Sequence, residues 1–347
     1  MKVFLTGGTG FIGRPLARAL LGQNWSVTAL VRSPAAWQAR YLDKMGVHSI
    51  AGDIADRESM RAGMTGVDIV INTGGAYEYG IEAGGRRRMT AANVNGVENV
   101  LSLAMELGIP RSIHVSTVQA FGDSGQQMQD ESFERQSPCR TWYEKTKTEG
   151  HAIARRYQQQ GLPVIIACPN GVIGANDHSV WGYFLRLYIN KVMPPLVWSS
   201  NCIYTLVDVD DLVQGLVLAA EKGRDGETYL FTGEAKSFRE HLSLFYLRPG
   251  GAKVWLYLPS GLMAASFWPM EPLQRIAGLP AFMSRETTWG ARTNFNYSSE
   301  KAQKELGWTP MNAEQMWLKT IDGELELLAK RKKRNLVSRL NPVELDA

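Results

Sequence analysis

The sequence predicts an α/β fold, a Rossmann-type doubly wound parallel sheet with a smaller irregular substrate-binding lobe towards the C-terminus. Strand-like and helix-like segments alternate along most of the chain, which is typical of a parallel sheet with helices on both faces. A glycine-rich turn at 7–13 follows a short apolar run and precedes a helical one. Hydrophobic residues make up 44% of the chain and charged residues 21%, as in ordinary globular proteins.

The elements of the sheet follow from the positions of β-branched and apolar residues. Strands are predicted at 1–6, 26–31, 48–51, 67–72, 111–116 and 164–168. Helices are predicted at 14–21, 87–107, 142–160, 210–222, 302–308 and 313–328. Gly108, Gly161 and Gly223 follow helical runs and are expected to end them.

The chain divides into two predicted units and a tail. We expect a dinucleotide-binding domain from 1–169 and 203–232, a substrate lobe from 170–202 and 233–328, and a basic tail at 329–347. The lobe carries most of the remaining Trp, Met and Pro and shows no clean alternation. The basic run at 330–334 is interpreted as a solvated terminus.

The most apolar stretch of the lobe, 254–273, is interrupted by prolines. Spanning a bilayer takes about 20 apolar residues, and Pro259, Pro269 and Pro272 break this run. We therefore expect no transmembrane segment and interpret the stretch as a wall around an apolar substrate. Peripheral contact with a membrane stays open.

Charge and cysteine content restrict the class of protein. The net charge of +4 over 347 residues is too small and diffuse to indicate a nucleic-acid partner. Cys139, Cys168 and Cys202 lack the spacing of a metal site or a C-x-x-C pair, so we expect no metal and a reducing compartment. Residue 1 opens directly into the first predicted strand, so we expect no signal peptide and a cytoplasmic location.

The glycine-rich turn predicts a dinucleotide site. Gly7 allows a tight turn, Gly10 lets the backbone approach a pyrophosphate, and Gly13 lets the helix pack closely on the strand. The helix N-terminus that follows offers unpaired N–H groups and a partial positive charge to phosphate. An ordinary glycine-rich turn is the alternative, but the strand before it and the helix after it favour the nucleotide.

A tyrosine and a lysine lie four residues apart at the start of the helix predicted at 142–160. This spacing stacks Tyr143 over Lys147 on one helical face. A free phenol has a pKa of about 10, and a nearby ammonium favours the phenolate. Ser116 and Thr117 close the preceding strand, so a hydroxyl there can reach the same carbonyl oxygen as the tyrosine.

These motifs together resemble the extended short-chain dehydrogenase/reductase family, of the NAD-dependent epimerase/dehydratase type. The branch with dihydroflavonol reductases and 3β-hydroxysteroid dehydrogenases is most similar in the C-terminal half. The resemblance covers nearly the whole chain in order, through 7–13, 93–96, 116–122, Tyr143-x-x-x-Lys147, 168–174, 208–211 and 304–308.

The resemblance implies a mechanism and a set of site residues. Tyr143 would pass a proton to or from the substrate oxygen, Thr117 would hydrogen-bond that oxygen, and Lys147 would also hold the nicotinamide ribose. Ser116 is the alternative to Thr117. The other residues expected at the cofactor are Gly7, Thr9, Gly10, Phe11, Ile12, Gly13, Arg32, Asp53, Ile54, Thr73, Gly74, Gly75, Asn93, Pro169 and Val172.

The end of the second strand predicts the cofactor. A carboxylate there favours NAD by binding the ribose 2′-hydroxyl, whereas an arginine suits the 2′-phosphate of NADP. The chain has Arg32 followed by Ser33 and no acid. The sequence therefore favours NADP, with NAD as the alternative if Arg32 is only a solvated strand end.

The substrate class is indicated by departures from the family pattern. Dehydratases place Asp-Glu directly after the catalytic threonine, whereas this chain has Val118 and Gln119, which argues against dehydration. Tyr204 and Cys168 stand where many members carry arginine, while Arg285 and Arg292 lie in a loop too variable to align. The aromatic residues gained are Trp181, Tyr183, Phe184, Trp198, Trp255, Phe267 and Trp268. They favour a mainly apolar substrate, although a purely structural core would account for them equally well.

We therefore expect an oxidoreductase that transfers hydride between NADP(H) and a ketone or secondary alcohol. The residues expected at the substrate are Tyr77, Tyr79, Ala120 and Asn170. Two alternatives remain: a nucleotide-sugar epimerase and a cofactor-sensing protein that has lost its chemistry. Relatives often pair through helices equivalent to 87–107 and 142–160, so a homodimer is also open.

Overall fold

The computed structural model describes residues 1–198, 201–276, 284–330 and 336–341. The strands are β1 (Lys2–Thr6), β2 (Ser26–Val31), β3 (His48–Ala51), β4 (Ile69–Asn72), β5 (Arg111–Val115), β6 (Val164–Pro169), β7 (Val172–Ile173), β8 (Leu196–Trp198), β9 (Ile203–Tyr204), β10 (Val207–Asp208), β11 (Thr228–Phe231), β12 (Lys236–Ser237) and β13 (Leu256–Leu258). 

The helices lie between these strands and after them. They are α1 (Gly13–Gly22), α2 (Trp37–Lys44), α3 (Arg57–Met64), α4 (Ala83–Thr90), α5 (Gly96–Glu106), α6 (Trp142–Gln159), α7 (Val180–Ile189), α8 (Val209–Lys222), α9 (Phe238–Leu244), α10 (Ser260–Ile276), α11 (Arg285–Gly290), α12 (Glu300–Leu306), α13 (Ala313–Lys330) and α14 (Leu336–Leu340). A π-helical turn at Ala91–Asn95 joins α4 to α5.

The central sheet confirms the predicted fold class. In the described part of the chain it has seven strands in the order β11-β6-β5-β4-β1-β2-β3, and every neighbouring pair is parallel. The chain order reverses between β1 and β4, where the connections leave the sheet in opposite directions. Such a reversal opens a crevice at the carboxyl ends of the strands, which is where ligands bind in sheets of this kind.

The core lies on both faces of this sheet. Val3 and Leu5 of β1 pack with α1, α8 and α12, whereas Phe4 between them packs with α3, α5 and α6. Consecutive side chains of a strand point to opposite faces, so a strand covered on both faces is apolar throughout. This explains why the strands stand out in the sequence as continuous apolar runs.

Some elements differ from the prediction. The strand β11 and the helices α2 and α3 were not predicted, and the helix predicted at 87–107 begins at Ala83 and is divided by the π-helical turn. The segments 170–202 and 233–296 are more helical than expected, with α7 as the clearest case. Most of α7 is buried, so its residues are apolar apart from Arg186, which pairs with Glu324 in the interior.

The helix α10 corrects the expectation that Pro269 and Pro272 break the apolar run. The helix continues through both prolines, and both are exposed. The backbone carbonyls that lose a partner at these positions can therefore bond to water. No helix among the described residues has the length and apolarity to cross a membrane.

The C-terminal region is described only in part. The helix α13 ends at Lys330, and α14 packs against α7. The rest of the basic run at 330–334 lies outside the described residues. The division into a dinucleotide-binding domain and a substrate lobe stays a prediction.

Candidate active site

A cleft of about 1080 Å³ lies at the carboxyl edge of the sheet, where the strand order reverses. Its first part, here called the cofactor half, is lined by the residues that end β1 to β6 and by the loops after them. Its second part, the apolar chamber, is lined by residues of α7, β8, α10 and neighbouring segments. Tyr143, Lys147 and Thr117 also line the cleft.

The glycine-rich turn forms the floor of the cofactor half. Gly7 has a φ of 72°, which is open to glycine at little cost. A Cβ at Gly13 would overlap the Gly7 carbonyl oxygen, so only glycine lets α1 begin this close to β1. Within the described residues no side chain caps α1. Its first residues line the cleft, so the unpaired N–H groups and partial positive charge of the helix N-terminus are available to a phosphate.

Hydrogen bonds hold the loop after β4 against the end of β1. The Thr73 hydroxyl donates to the Thr6 carbonyl oxygen at 2.7 Å, and the Gly74 N–H donates to the Thr6 hydroxyl at 3.1 Å. Asn93 accepts from the Ala76 N–H at 2.7 Å and donates to the Ala76 carbonyl at 2.9 Å. These bonds fix the loop opposite the glycine turn across the switch point.

Asn93 also connects this loop to the helix that carries Tyr143. Its Nδ2 donates to the Thr146 hydroxyl at 3.1 Å, and Thr146 precedes Lys147 in α6. Asn93 lies in the π-helical turn, whose wider turn interrupts the helix at this point. The side chain therefore joins the cofactor half to the Tyr143 helix.

The far end of the cofactor half is formed by the ends of β2 and β3. Arg32 follows β2, lines the cleft and is exposed. The Asp53 carboxylate accepts from the Ala55 N–H at 2.9 Å and so stabilises its own turn. Ile54 packs beneath Gly74, where an added Cβ would lie 2.9 Å from the Ile54 Cδ1.

Tyr143 is positioned by the first turn of α6. Thr141 caps this helix by accepting from the Glu144 N–H at 3.0 Å. Arg135 holds the Glu144 carboxylate at 2.8 Å. Glu286 of α11 accepts from the Trp142 N–H at 3.2 Å and from the Gly80 N–H at 2.9 Å. The tyrosine therefore lies on a turn that several distant segments hold in place.

Three tyrosines meet in the cleft, close to where the apolar chamber begins. The ring centroids of Tyr77 and Tyr143 are 4.8 Å apart, and those of Tyr79 and Tyr143 are 6.1 Å apart. The Thr117 side chain hydrogen-bonds to Tyr143, which favours the ionised form of the phenol. The hydroxyl of Ser116, the alternative to Thr117, lies 3.0 Å from His151 Nδ1 in the buried interior. Thr117 is therefore the hydroxyl that faces the phenol.

The charge balance around Tyr143 differs from the sequence expectation. Burial raises the pKa of Tyr143, with the nearby Tyr79 adding to the rise, and the lysine does not reverse this shift. Lys147 donates to the Val115 carbonyl oxygen at 3.0 Å. Burial lowers the pKa of Lys147 to about 8. Desolvation by burial is thus the largest influence on the pKa of both side chains.

The apolar chamber begins beyond Tyr143 and is walled mainly by aromatic and aliphatic side chains. Its lining includes Trp181, Tyr183, Phe184, Leu187, Pro194, Leu196, Val197, Trp198, Tyr204, Leu206, Phe238, Met263, Phe267 and Phe295. Tyr204 packs edge-on against Trp181 at 5.4 Å and donates its hydroxyl to the Gly290 carbonyl at 3.1 Å. From residue 170 onward, the described residues that line the cleft include neither arginine nor lysine.

The structure brings the residues expected at the cofactor to one cleft. Those that line it are Gly7, Thr9, Gly10, Phe11, Ile12, Gly13, Arg32, Asp53, Ile54, Thr73, Gly74, Gly75, Asn93, Tyr143, Lys147, Pro169 and Val172. Thr117, Tyr77, Tyr79 and Asn170 line it too. The Asn170 amide is already engaged, because it donates to Thr205 Oγ1 at 2.9 Å and to the Phe295 carbonyl at 3.0 Å.

Other expected contacts fall elsewhere. Ala120 is a correction: it is buried in a 3₁₀ turn, and Gln119 lines the cleft in its place. Trp255 lies on the surface with 72% of its area exposed. The side chains of Trp268 and Arg285 lie outside the described residues. Arg292 packs its guanidinium over the Trp289 ring at 5.6 Å.

Several lining residues were not predicted as site residues. They include Gln119, Asp177, His178, Leu187, Phe238, Met263, Thr287 and Phe295. They come from segments far apart in the chain, and no local motif marks them. Burial raises the pKa of Asp177 to about 6, and its carboxylate accepts from the Ser179 N–H at 2.7 Å and the Gly182 N–H at 3.0 Å. This carboxylate therefore holds the start of α7.

The chain belongs to the NAD dependent epimerase/dehydratase family, whose family model matches residues 3–231. This confirms the resemblance to the extended short-chain dehydrogenases/reductases. The protein is a nicotinamide-cofactor-dependent enzyme of this family. Relatives that match most of its length are named as dehydrogenases and reductases.

Individual relatives resemble the chain over most of its length. A 4-hydroxy-2-methyl-3-oxo-4-farnesyl-3,4-dihydroquinoline-1-oxide ketoreductase of Stigmatella aurantiaca is 30% identical, over 89% of this chain and 92% of its own. A 3 beta-hydroxysteroid dehydrogenase/Delta 5-->4-isomerase of Mycobacterium tuberculosis is 25% identical, over 89% of this chain and 86% of its own length. Among solved structures, the chain resembles the dTDP-glucose 4,6-dehydratase DesIV of Streptomyces venezuelae, which has NAD and TYD bound. The two are 21% identical with a TM-score of 0.74, over 95% of this chain and 98% of the other. This last likeness shows the fold.

Proposed function

We propose that the protein transfers hydride between NADP(H) and a ketone or secondary alcohol of a mainly apolar substrate. One observation carries this proposal: Tyr143, Thr117 and Lys147 line the same cleft as a glycine-turn cofactor half and an apolar chamber. A carbonyl group held at the phenol would have its carbon over the cofactor half and its substituents in the chamber.

The proposed chemistry divides between the cofactor and three side chains. NADP(H), when bound, supplies or accepts the hydride. Tyr143 holds its proton at neutral pH because burial raises its pKa, so it can donate that proton to the carbonyl oxygen in reduction. Thr117 would orient the same oxygen, and Lys147 would hold the nicotinamide ribose.

The choice of NADP rests on Arg32. In the described structure this side chain is exposed at the end of β2 and lines the cleft. Residues 32–36 contain no carboxylate that could bind a ribose 2′-hydroxyl. A guanidinium can hold a 2′-phosphate through two parallel hydrogen bonds. NAD is the alternative cofactor, with Arg32 then in solvent.

The apolar substrate is supported by the lining of the chamber and by the named relatives. One is named for the reduction of a farnesylated quinoline oxide and another for a hydroxysteroid. A nucleotide-sugar epimerase would need cations for a diphosphate, and the described chamber lining supplies neither arginine nor lysine beyond residue 170. The reductase is therefore the better supported function.

The test is replacement of Tyr143 by phenylalanine. Loss of the acid should lower kcat for ketone reduction by at least about 100-fold and leave NADPH affinity nearly unchanged. Tyr188→Phe is the matched control, since Tyr188 lies outside the cleft lining and donates to the Arg248 carbonyl. Equal turnover by wild type and Tyr143→Phe would exclude this mechanism.

A further inference from the structure

A lid-like unit, here called the cap, closes one side of the apolar chamber. It consists of the parallel strands β8 and β13 and the helix α10. Phe267 of α10 packs edge-on against Trp198 of β8 with ring centroids 5.1 Å apart. Met263 and Phe267, four residues apart on one side of α10, line the cleft and are buried. One side of the cap is therefore a wall of the chamber.

The outer face of the cap is also apolar, which is unusual for a surface in water. Leu262, Leu273 and Ile276 of α10 expose 57%, 62% and 84% of their area, and Trp255, just before β13, exposes 72%. These are the most exposed large apolar side chains among the described residues. Single exposed apolar residues are common, but three on one side of α10, with Trp255 beside β13, indicate a binding surface.

Positive charge lies close to Trp255 and β13. Lys253 precedes Trp255 by two residues, is exposed, and places its ammonium 5.4 Å from the Tyr246 ring. Arg239 is exposed and stacks over Tyr257 of β13 at 4.6 Å. Lys191 is exposed as well, and its Cα lies next to Gly251. Tryptophan with flanking cations is the combination that settles at the boundary between acyl chains and anionic headgroups.

We propose that the outer face of the cap docks onto the surface of an anionic lipid bilayer. The exposed side chains of α10 and Trp255 would enter the acyl boundary, while Lys253, Arg239 and Lys191 would face the headgroups. This places the wall of the apolar chamber at the membrane, from which an apolar substrate would reach Tyr143. The docking follows from the surface alone, whereas substrate delivery rests on the proposed function.

Vesicle flotation tests the docking. The full chain is mixed with phosphatidylcholine vesicles, with or without phosphatidylglycerol, and the floating fraction is measured at low and high salt. Wild type should float with the anionic vesicles and release with salt. The double variant Leu273→Glu/Ile276→Glu should bind at least about tenfold more weakly, because it loses apolar contacts and gains charges that anionic headgroups repel.

A matched control is available at the opposite edge of the sheet. Met105 near the end of α5 is exposed but lies close to the start of β5, away from the carboxyl edge. Met105→Glu should float as wild type does. Thermal unfolding of each variant shows whether it is folded, and Trp255→Ala gives a second, uncharged lesion on the outer face that should also weaken flotation.

Three results separate the explanations. Failure of the folded wild type to float with either vesicle overturns the docking, even if soluble ketones are reduced. Equal flotation of Leu273→Glu/Ile276→Glu and wild type overturns it as well. If wild type is a dimer by light scattering and the double variant a monomer, a second copy covers this face and the proposal is wrong. Tyr143→Phe should still float, so a failure of the proposed function alone leaves flotation unchanged.

Discussion

The cofactor half and the apolar chamber of the same cleft are built in different ways. The cofactor half is made of backbone turns at the ends of neighbouring parallel strands, and its close contacts involve Gly7, Gly13 and Gly74. The chamber is made of large side chains from α7, β8, α10 and residues beyond. One half depends on where the chain turns, and the other on what packs against it.

This difference indicates which half of the cleft tolerates substitutions. A turn that fits a glycine against a backbone carbonyl tolerates almost no change, because the backbone cannot move without the sheet. A wall of apolar side chains keeps its character when its members exchange. The cofactor half is thus suited to one ligand, and the chamber can be altered to change the substrate.

The largest effect is expected in the cofactor half, from Gly13→Ala. The added methyl group would overlap the Gly7 carbonyl, so we expect about 3 kcal/mol of destabilisation. We also expect NADPH to lose most of its affinity, as measured by titration. Gly22→Ala at the other end of α1 is the control, since a Cβ there meets no atom within 4 Å. Equal NADPH binding by the two variants would contradict the comparison.

Lys147 lies at the junction of the two halves and predicts a pH dependence of stability. Its pKa is lowered from 10.5 to about 8 by burial. Between these values the unfolded chain keeps the proton that the folded chain has lost, so this group makes stability rise with pH from about 8 to 10.5. The rise should reach about 3 kcal/mol relative to Lys147→Met.

Denaturant unfolding of the cofactor-free protein measures this rise at several pH values. Lys147→Arg serves as the control, since its guanidinium stays charged across the whole range. The same slope in wild type and both variants would show that Lys147 is not the group responsible.

A smaller effect is expected in the chamber, from Phe184→Ala. Phe184 lines the chamber and packs against Phe238 with ring centroids 5.8 Å apart. Loss of its ring should raise KM for a bulky apolar ketone roughly tenfold and leave the dissociation constant for NADPH unchanged. Phe133→Ala, a half-buried ring outside the cleft lining, should leave KM unaltered. A change in NADPH affinity in Phe184→Ala would show that the halves are not independent.

An effect of similar size is expected from Arg32→Ala, at the edge of the cofactor half. NADPH affinity should fall about tenfold and NADH affinity should stay the same, because only NADPH carries the 2′-phosphate. A thermal-shift titration with each cofactor measures both. Arg40→Ala, an exposed arginine of α2, is the control. Stronger stabilisation of wild type by NADH than by NADPH would reverse the assignment to NADP.

The sequence by itself determined the features that local rules set. The strand, glycine turn and helix at the N-terminus are consecutive, so their spacing shows in the residues. The four-residue spacing of Tyr143 and Lys147 fixes their shared helical face whatever surrounds them. Strands buried on both faces, such as β1 and β6, carry continuous apolar runs, and the sequence predicts their ends to within a residue.

The tertiary structure alone decided what depends on distant neighbours. Gln119 rather than Ala120 faces the cleft, because the turn after β5 is set by packing that no short motif records. The pKa of Tyr143 rises because the folded chain buries the phenol, and burial is not visible in the spacing of Tyr143 and Lys147. The helix α10 continues through Pro269 and Pro272 because both lie on the solvent side. Burial is a property of the folded chain as a whole, so no single stretch of residues predicts these outcomes.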